Sequence, residues 1–334
     1  MTPPVPDKLK VNRKRVTTGG HNSRKADMNS MDSYRNPKHT TPTVFHYTSA
    51  TGLMGIIKRR ELWATESNYL NDSSEVSFAS NTLISLLNDR IVGGASGHQL
   101  ALAQRAIALL KRAYSDPNTP DQYREDRAFI TSFSRSDQSL TLWRAYGGQN
   151  GFCVGFDEQL LLELVGKECY PSAINGETGI EELERQEAIK ANFHLEAHFQ
   201  EISYGTAQVE SVLEELFDVS ADDVSGDDEA RFRATFRKLS GIKHFAFADE
   251  RETRLIVQEV GDFAPDPGVR VSAAGALVAY QKLVFPFDAV RSITVAPGAN
   301  VAQTRRGLGS LLSTGGRGAW SNIEIRECEI PFVW

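Results

Sequence analysis

The sequence predicts an α+β protein with mixed, mostly antiparallel sheets flanked by helices. Three observations lead there. Short apolar strand segments and amphipathic helical segments follow one another without the regular alternation of a doubly wound sheet. The chain has 334 residues, 40% of them hydrophobic and 24% charged, the make-up of an ordinary globular protein with room for one large domain or two modest ones. No internal repeat interrupts it, and no apolar run approaches the roughly eighteen residues of a membrane span.

The folded part is expected to begin near Thr43. "TVFHYTS" reads as a short strand, and Ser49 caps a helix whose Leu53, Ile56 and Ile57 form one apolar face. "LWAT" returns as a strand. Asp72 with Glu75 three residues on is a capping-box pattern, opening a helix through Val76, Phe78, Leu83 and Leu87. A further helix covers 98 to 114, up to the break at "SDPNTP". "RAFITSFS" alternates as a strand, "SLTLWRAYG" is a short helical turn, and "GFCVGFD" is a strand whose Gly151 and Gly155 permit close backbone approach. "EQLLLELVG" reads as a helix, as do residues 179 to 200, and "QEISYG" reads as a strand. Residues 219 to 229 form an acidic loop. A helix through Phe232, Phe236 and Leu239 leads into "HFAFADERETRLIV", strand-like at its end. "LVAYQKLVFPF" and "VRSITVAP" are strands, followed by a helix over about 300 to 313 and a last strand ending "CEIPFVW". The organisation is a tail over 1–42, then a single domain over 43–334 with helical insertions near 76–115 and 179–245.

Charge is uneven. The net charge is -6, yet residues 1 to 40 hold nine Lys or Arg and three Asp, so the remainder carries about -12. An acidic body argues against broad nucleic-acid binding. The basic tail either touches nucleic acid or, as is commoner for such segments, is disordered. The N-terminus lacks the apolar stretch of a secretory signal, and the expected location is cytoplasmic, with no membrane partner. Cys153, Cys169 and Cys328 are too scattered for a disulfide framework or a zinc knuckle, so reduced thiols are expected.

Three groups of residues stand out. His46 and Tyr47 close a short strand directly before a helix, where His46 either faces a ligand or is a satisfied structural residue. Ser132 and Ser134 share one face of a strand with Phe133 opposite, either lining a pocket or forming an exposed polar face. Close by, Asp137 is expected to cap the turn that carries Trp143 and Tyr146. These two rings are three residues apart on one helical face, as an aromatic wall or as core. In "FADERETRLIV", Glu250 and Glu252 share a face if the segment is extended. Burying two carboxylates there needs partners, and Arg251 and Arg254 are the candidates. His194 and His198 are four apart in a segment that reads as a helix. The order is not that of a zinc metalloprotease, no third ligand is evident, and no metal is expected. "GASG" lacks phosphate-loop spacing, and no Gly-x-Ser-x-Gly elbow supports a serine hydrolase.

The segments "FHYTSATGLMGIIKRRELWATESNYLNDSSE", "ITSFSRSDQSLTLWRAYGGQNGFCVGFD", "HFAFADERETRLIV", "VRSITVAPGA" and "CEIPF" together resemble the bacterial DUF2971 family, a domain of unknown function. More loosely, the His-bearing first strand and the late Glu resemble those of ADP-ribosyltransferase-like proteins. That resemblance implies an ADP-ribosyltransferase-like core and the transfer of ADP-ribose from NAD, with NAD as substrate and no metal. His46 would hold a ribose hydroxyl, with Tyr47 beside it. Glu252 would be the catalytic carboxylate, with Glu250 orienting the acceptor and Arg254 paired nearby. Ser132 and Ser134 would help position the dinucleotide, and Tyr69 or Tyr146 would stack on nicotinamide, with Trp143 as a further aromatic. His46 is followed by Tyr rather than the Gly of the better-known enzymes. The acceptor would be a protein side chain, a nucleic-acid base or water. A role as a toxin or in phage defence, with a neutralising partner protein, is compatible. The alternative is a non-catalytic domain of the same fold that senses a nucleotide or binds a protein.

Overall fold

A computed structural model describes residues 41–67, 73–115, 128–166, 180–218, 232, 235, 238–239, 241–259, 266–272, 275–313 and 322–332. All of them belong to one compact unit, Thr41–Trp334. The tail, Tyr69, the Asp72 cap, the "SDPNTP" break, Cys169 and the acidic loop lie outside the described residues.

The architecture is α+β: a mostly antiparallel open sheet flanked by helices. The opening strand β1 (Thr43–Thr48) runs into helix α1 (Ala50–Arg59). Ser49 caps it by accepting from the Gly52 amide at 3.1 Å, and its buried face is Leu53, Ile56 and Ile57, as the spacing predicts. Gly52 leaves room for the Thr48 hydroxyl, which a Cβ there would force to turn away. Strand β2 (Glu61–Glu66) follows, and the long helices α2 (Ser73–Val92) and α3 (Gly97–Ser115) cross over to β3 (Ala128–Ser134).

Strand β3 is the branch point of the sheet. One of its edges pairs along its whole length with β8 (Glu252–Glu259), from Ala128 opposite Gln258 to Ser134 opposite Glu252. The other edge is shared. At one end Phe45 of β1 pairs with Ser134, and at the other Thr65 and Glu66 of β2 pair with Ile130 and Phe129. Between these contacts neither strand forms a ladder with residues 131 to 133. The sheet is therefore forked, with β1 and β2 diverging from the same edge. Beyond β1 it continues through β4 (Phe152–Asp157), β11 (Val290–Val295) and, in parallel, β12 (Glu324–Glu327). Beyond β2 it continues through β10 (Leu277–Val284) to the hairpin partner β9 (Gly268–Val271). β5 (Leu195–Glu201) lies outside β8.

Two apolar cores support this frame. The larger packs α1 against the sheet through Leu53, Ile57, Phe129, Val154, Phe156 and Leu255, among others. The second joins α2, α3 and α7 (Thr206–Phe217) through Leu83, Leu87, Leu110 and Leu216. The two helical insertions of the sequence thus pack on each other. The second insertion is not all helical, however. Residues 195–201 are strand β5 rather than helix, because "LEAHFQE" alternates apolar and polar residues and pairs with β8 throughout. His194 precedes this strand and His198 sits in it, so they share no helix face.

Candidate functional site

The fork encloses a cavity of about 820 Å³, within the range of small-molecule sites. Its wall includes His46 from β1, Ser132 from β3, Glu252 and Arg254 from β8, Glu250 and Tyr146, together with much of α1. Residues spread over more than two hundred positions of sequence meet there because several strands and one helix converge around the break in the ladder.

His46 fills part of that break. Its Nδ1 lies 3.0 Å from the Ser132 carbonyl oxygen, in the stretch of β3 that lacks a strand partner on this edge. A carbonyl only accepts, so Nδ1 carries the proton. Burial lowers the pKa of the half-buried ring, and the Ser132 bond opposes this only in part. The ring is therefore neutral near pH 7, with Nε2 left as an acceptor. Its edge packs on Phe133, ring centroids 5.7 Å apart. Toward the cavity the imidazole can thus accept a hydrogen bond from a hydroxyl.

The acidic end of the cavity is a buried charge cluster. Lys243, in the two-residue strand β7 (Ile242–Lys243), places Nζ 2.7 Å from Glu252 and 3.0 Å from Glu250. Arg254 Nε sits 2.8 Å from the other Glu252 oxygen. All four side chains are buried. Burial pushes the Glu252 carboxyl up, but Arg254 and Lys243 outweigh it and hold the group ionised, below the usual carboxylate range. The Glu252 amide donates to the Tyr204 hydroxyl at 2.8 Å, fixing the start of β8. The sequence expectation that the two glutamates share a face holds only for an extended segment, and the segment is not extended. Residues Phe245–Glu250 form a 3-10 turn and Arg251 is left-handed, at φ 44°. Lys243 brings the carboxylates together instead. Arg251 is exposed, and Arg254 is the arginine that pairs.

The remaining expected residues divide. Ser132 is exposed to the cavity. Ser134 is fully buried, its hydroxyl donating to the Glu250 carbonyl at 2.7 Å and accepting from the Ser136 amide. It therefore shapes the site without lining it. The Tyr47 hydroxyl donates to the Ser136 carbonyl at 2.8 Å and accepts from the Ser139 amide at 3.0 Å, so Tyr47 borders the cavity and anchors the loop after β3. Trp143 and Tyr146 do not form one wall. Residues Trp143–Gly147 make a π-helical turn, closed by Gly148 N–H to Trp143 O at 2.7 Å, and this changes the phase that a 3.6-residue turn would give. Trp143 is in the core with its indole donating to the Asp137 carbonyl, whereas Tyr146 is 52% exposed and lines the cavity. Asp137 does not cap this turn; Ser139 does, and Asp137 accepts from Thr294 instead.

Sequence reasoning missed Lys243 and Trp63. Lys243 has no local signal, since its partners lie seven and nine residues away around a turn. Trp63 lines the cavity from β2, stacked on Tyr280 with centroids 4.5 Å apart, and was legible only as an apolar strand residue. Among the described residues there is no group of three or more His, Cys, Asp or Glu that could hold a metal, and no helix is long and apolar enough to cross a membrane.

No curated protein and no solved structure matches this chain. Residues 142–255 match the family model described as protein of unknown function, DUF2971. The match runs from the Trp143 turn to the fourth residue of β8 and takes in Lys243, Glu250, Glu252 and Arg254.

Proposed function

We propose that the forked sheet is an ADP-ribosyltransferase-like core and that its cavity binds NAD, from which ADP-ribose passes to a macromolecular acceptor. The observation that carries this reading is the convergence of His46, Ser132, Glu252 and Tyr146 on one cavity. In this reading nicotinamide leaves with the electrons of its glycosidic bond, and the anomeric carbon becomes cationic. The ionised Glu252 stabilises that charge and accepts from a ribose hydroxyl. Neutral His46 accepts from a second hydroxyl and holds the ribose still while the bond breaks. Tyr146 stacks on nicotinamide in this reading, which its exposure at the cavity wall supports. Glu250, 3.0 Å from Lys243, orients the acceptor.

One observation favours the rival reading, a nucleotide-sensing or protein-interaction domain without catalysis. Both Glu252 oxygens are already held by cations, and the four charges of the cluster sum to zero, which dilutes the field available to a cationic transition state. Nicotinamide release from NAD by the purified protein, with and without cell lysate as a source of acceptors, separates the two. The enzyme reading predicts release that Glu252→Ala and His46→Ala each abolish. A folded protein that binds NAD and releases no nicotinamide in either condition supports the sensor.

A further inference from the structure

The cavity is electrically divided. At its acidic end, Lys243 and Arg254 are balanced by Glu250 and Glu252. At the end framed by α1, β2 and β9, the wall carries Lys58, Arg59 and Arg270 against the single carboxylate of Glu61. This end therefore holds an excess of two positive charges. Two of its cations are pre-positioned by uncharged groups. The Arg59 guanidinium lies over the Trp63 ring, 5.3 Å from its centroid. Arg270 donates through Nη2 to the Thr65 hydroxyl at 2.7 Å, and its buried Nε has no partner. Trp63 and Thr65 are alternate residues of β2 on one face, so the two guanidiniums flank the same stretch of strand. Among the described residues no carboxylate lies within ion-pair distance of Arg59 or Arg270. Glu61, the one acid nearby, accepts from the Trp63 indole at 3.1 Å. An exposed arginine oriented by a ring and a half-buried one oriented by a hydroxyl, both lacking a carboxylate, are set for an oxyanion that a guanidinium fork grips in a pair of hydrogen bonds.

We propose that Arg270 and Arg59, with Lys58 beside them, form a phosphate subsite, and that the ligand of this end is the diphosphate of a nucleoside diphosphate moiety. Each phosphate of such a bridge carries a negative charge, which matches the local excess. The subsite rests on the reading of the cavity as a nucleotide site, but not on catalysis there.

Calorimetric titration of the full chain with ADP-ribose, ADP, adenosine and inorganic pyrophosphate tests it. The expected result is binding of ADP-ribose and ADP at least about tenfold tighter than adenosine, weakening with salt. Arg270→Ala should cost about tenfold or more in ADP-ribose affinity and leave adenosine unchanged. Arg59→Ala, at an exposed position on the last turn of α1 where folding is not at stake, should give a smaller loss of the same kind. Pyrophosphate competing with ADP-ribose places the contact on the phosphates. Equal affinity for ADP and adenosine, no binding of either by the folded chain, or ADP-ribose binding unchanged in both variants would overturn the subsite. The outcome is separable from that of the enzyme reading: a chain that binds ADP-ribose through Arg270 but releases no nicotinamide keeps the subsite, whereas release with a KM indifferent to Arg270→Ala removes it.

Discussion

The helical layer of α2, α3 and α7 and the fork of β1, β2, β3 and β8 are buried by opposite means. Leu83, Leu87, Leu110 and Leu216 fill the first with apolar surface, which stabilises simply by leaving water. The second buries Lys243, Glu250, Glu252 and Arg254, each under 9% exposed, in a sheet whose ladder is interrupted at residues 131 to 133. Buried ion pairs are seldom the most stable choice, since hydrophobic replacements of like volume often do as well. The contrast teaches that the helical layer is built for stability and that the fork keeps charge for another purpose.

The largest effect that sharpens this contrast is expected at Lys243. Lys243→Ala leaves two buried carboxylates with Arg254 paired to Glu252 alone and should cost about 3–5 kcal/mol at pH 7, read by urea unfolding. Part of that loss should return on acidification, since the variant's buried cluster carries one net negative charge that protonation relieves. Next is Leu87→Ala in the helical layer, expected to cost about 3 kcal/mol through the cavity it leaves, with no such pH dependence. If both variants respond to pH alike, the contrast fails.

Acid separates the regions in the native chain too. The Glu252 carboxyl is held below its unfolded value, so its contribution is fully present above the unfolded pKa of about 4.3 and is lost as pH falls through the folded one. Hydrogen exchange followed from pH 7 to well below pH 4 should therefore show protection falling in β8 before it falls in α2, after correction for the intrinsic rate. Ser134→Ala removes the hydroxyl that satisfies the Glu250 carbonyl and should cost about 1–2 kcal/mol. The smallest stability effect is His46→Ala, under about 1 kcal/mol for one hydrogen bond at a half-buried ring, although its effect on nucleotide affinity should be the clearest of the set.

Local chemistry was legible in the sequence, and pairing was not. The Ser49 cap and the face of Leu53, Ile56 and Ile57 in α1 follow from spacing within one element. Strand β5 was open to a better reading: Leu195, Ala197 and Phe199 recur at period two, but the helix-favouring run before them suggests a continued helix, and only β8 as a partner decides. The fork belongs to no single segment, since it arises where β1 and β2 meet one edge of β3 at different heights. The site followed the same division. His46, Ser132 and Glu252 were legible as residues of the right chemistry on strand edges, and their convergence required the sheet. Lys243 and Arg270 were silent because a buried lysine and a strand arginine announce nothing until their neighbours are known.

On the proposed function, the fork is a dinucleotide site in which His46 and Glu252 hold one ribose. A crystal structure of the protein with a non-hydrolysable NAD analogue tests it most directly. The prediction is density in the cavity beneath α1, with the hydroxyls of the nicotinamide ribose within hydrogen-bond reach of His46 Nε2 and Glu252, and the diphosphate toward Arg270. An analogue bound outside the fork, or an empty cavity at saturating concentration, would contradict it.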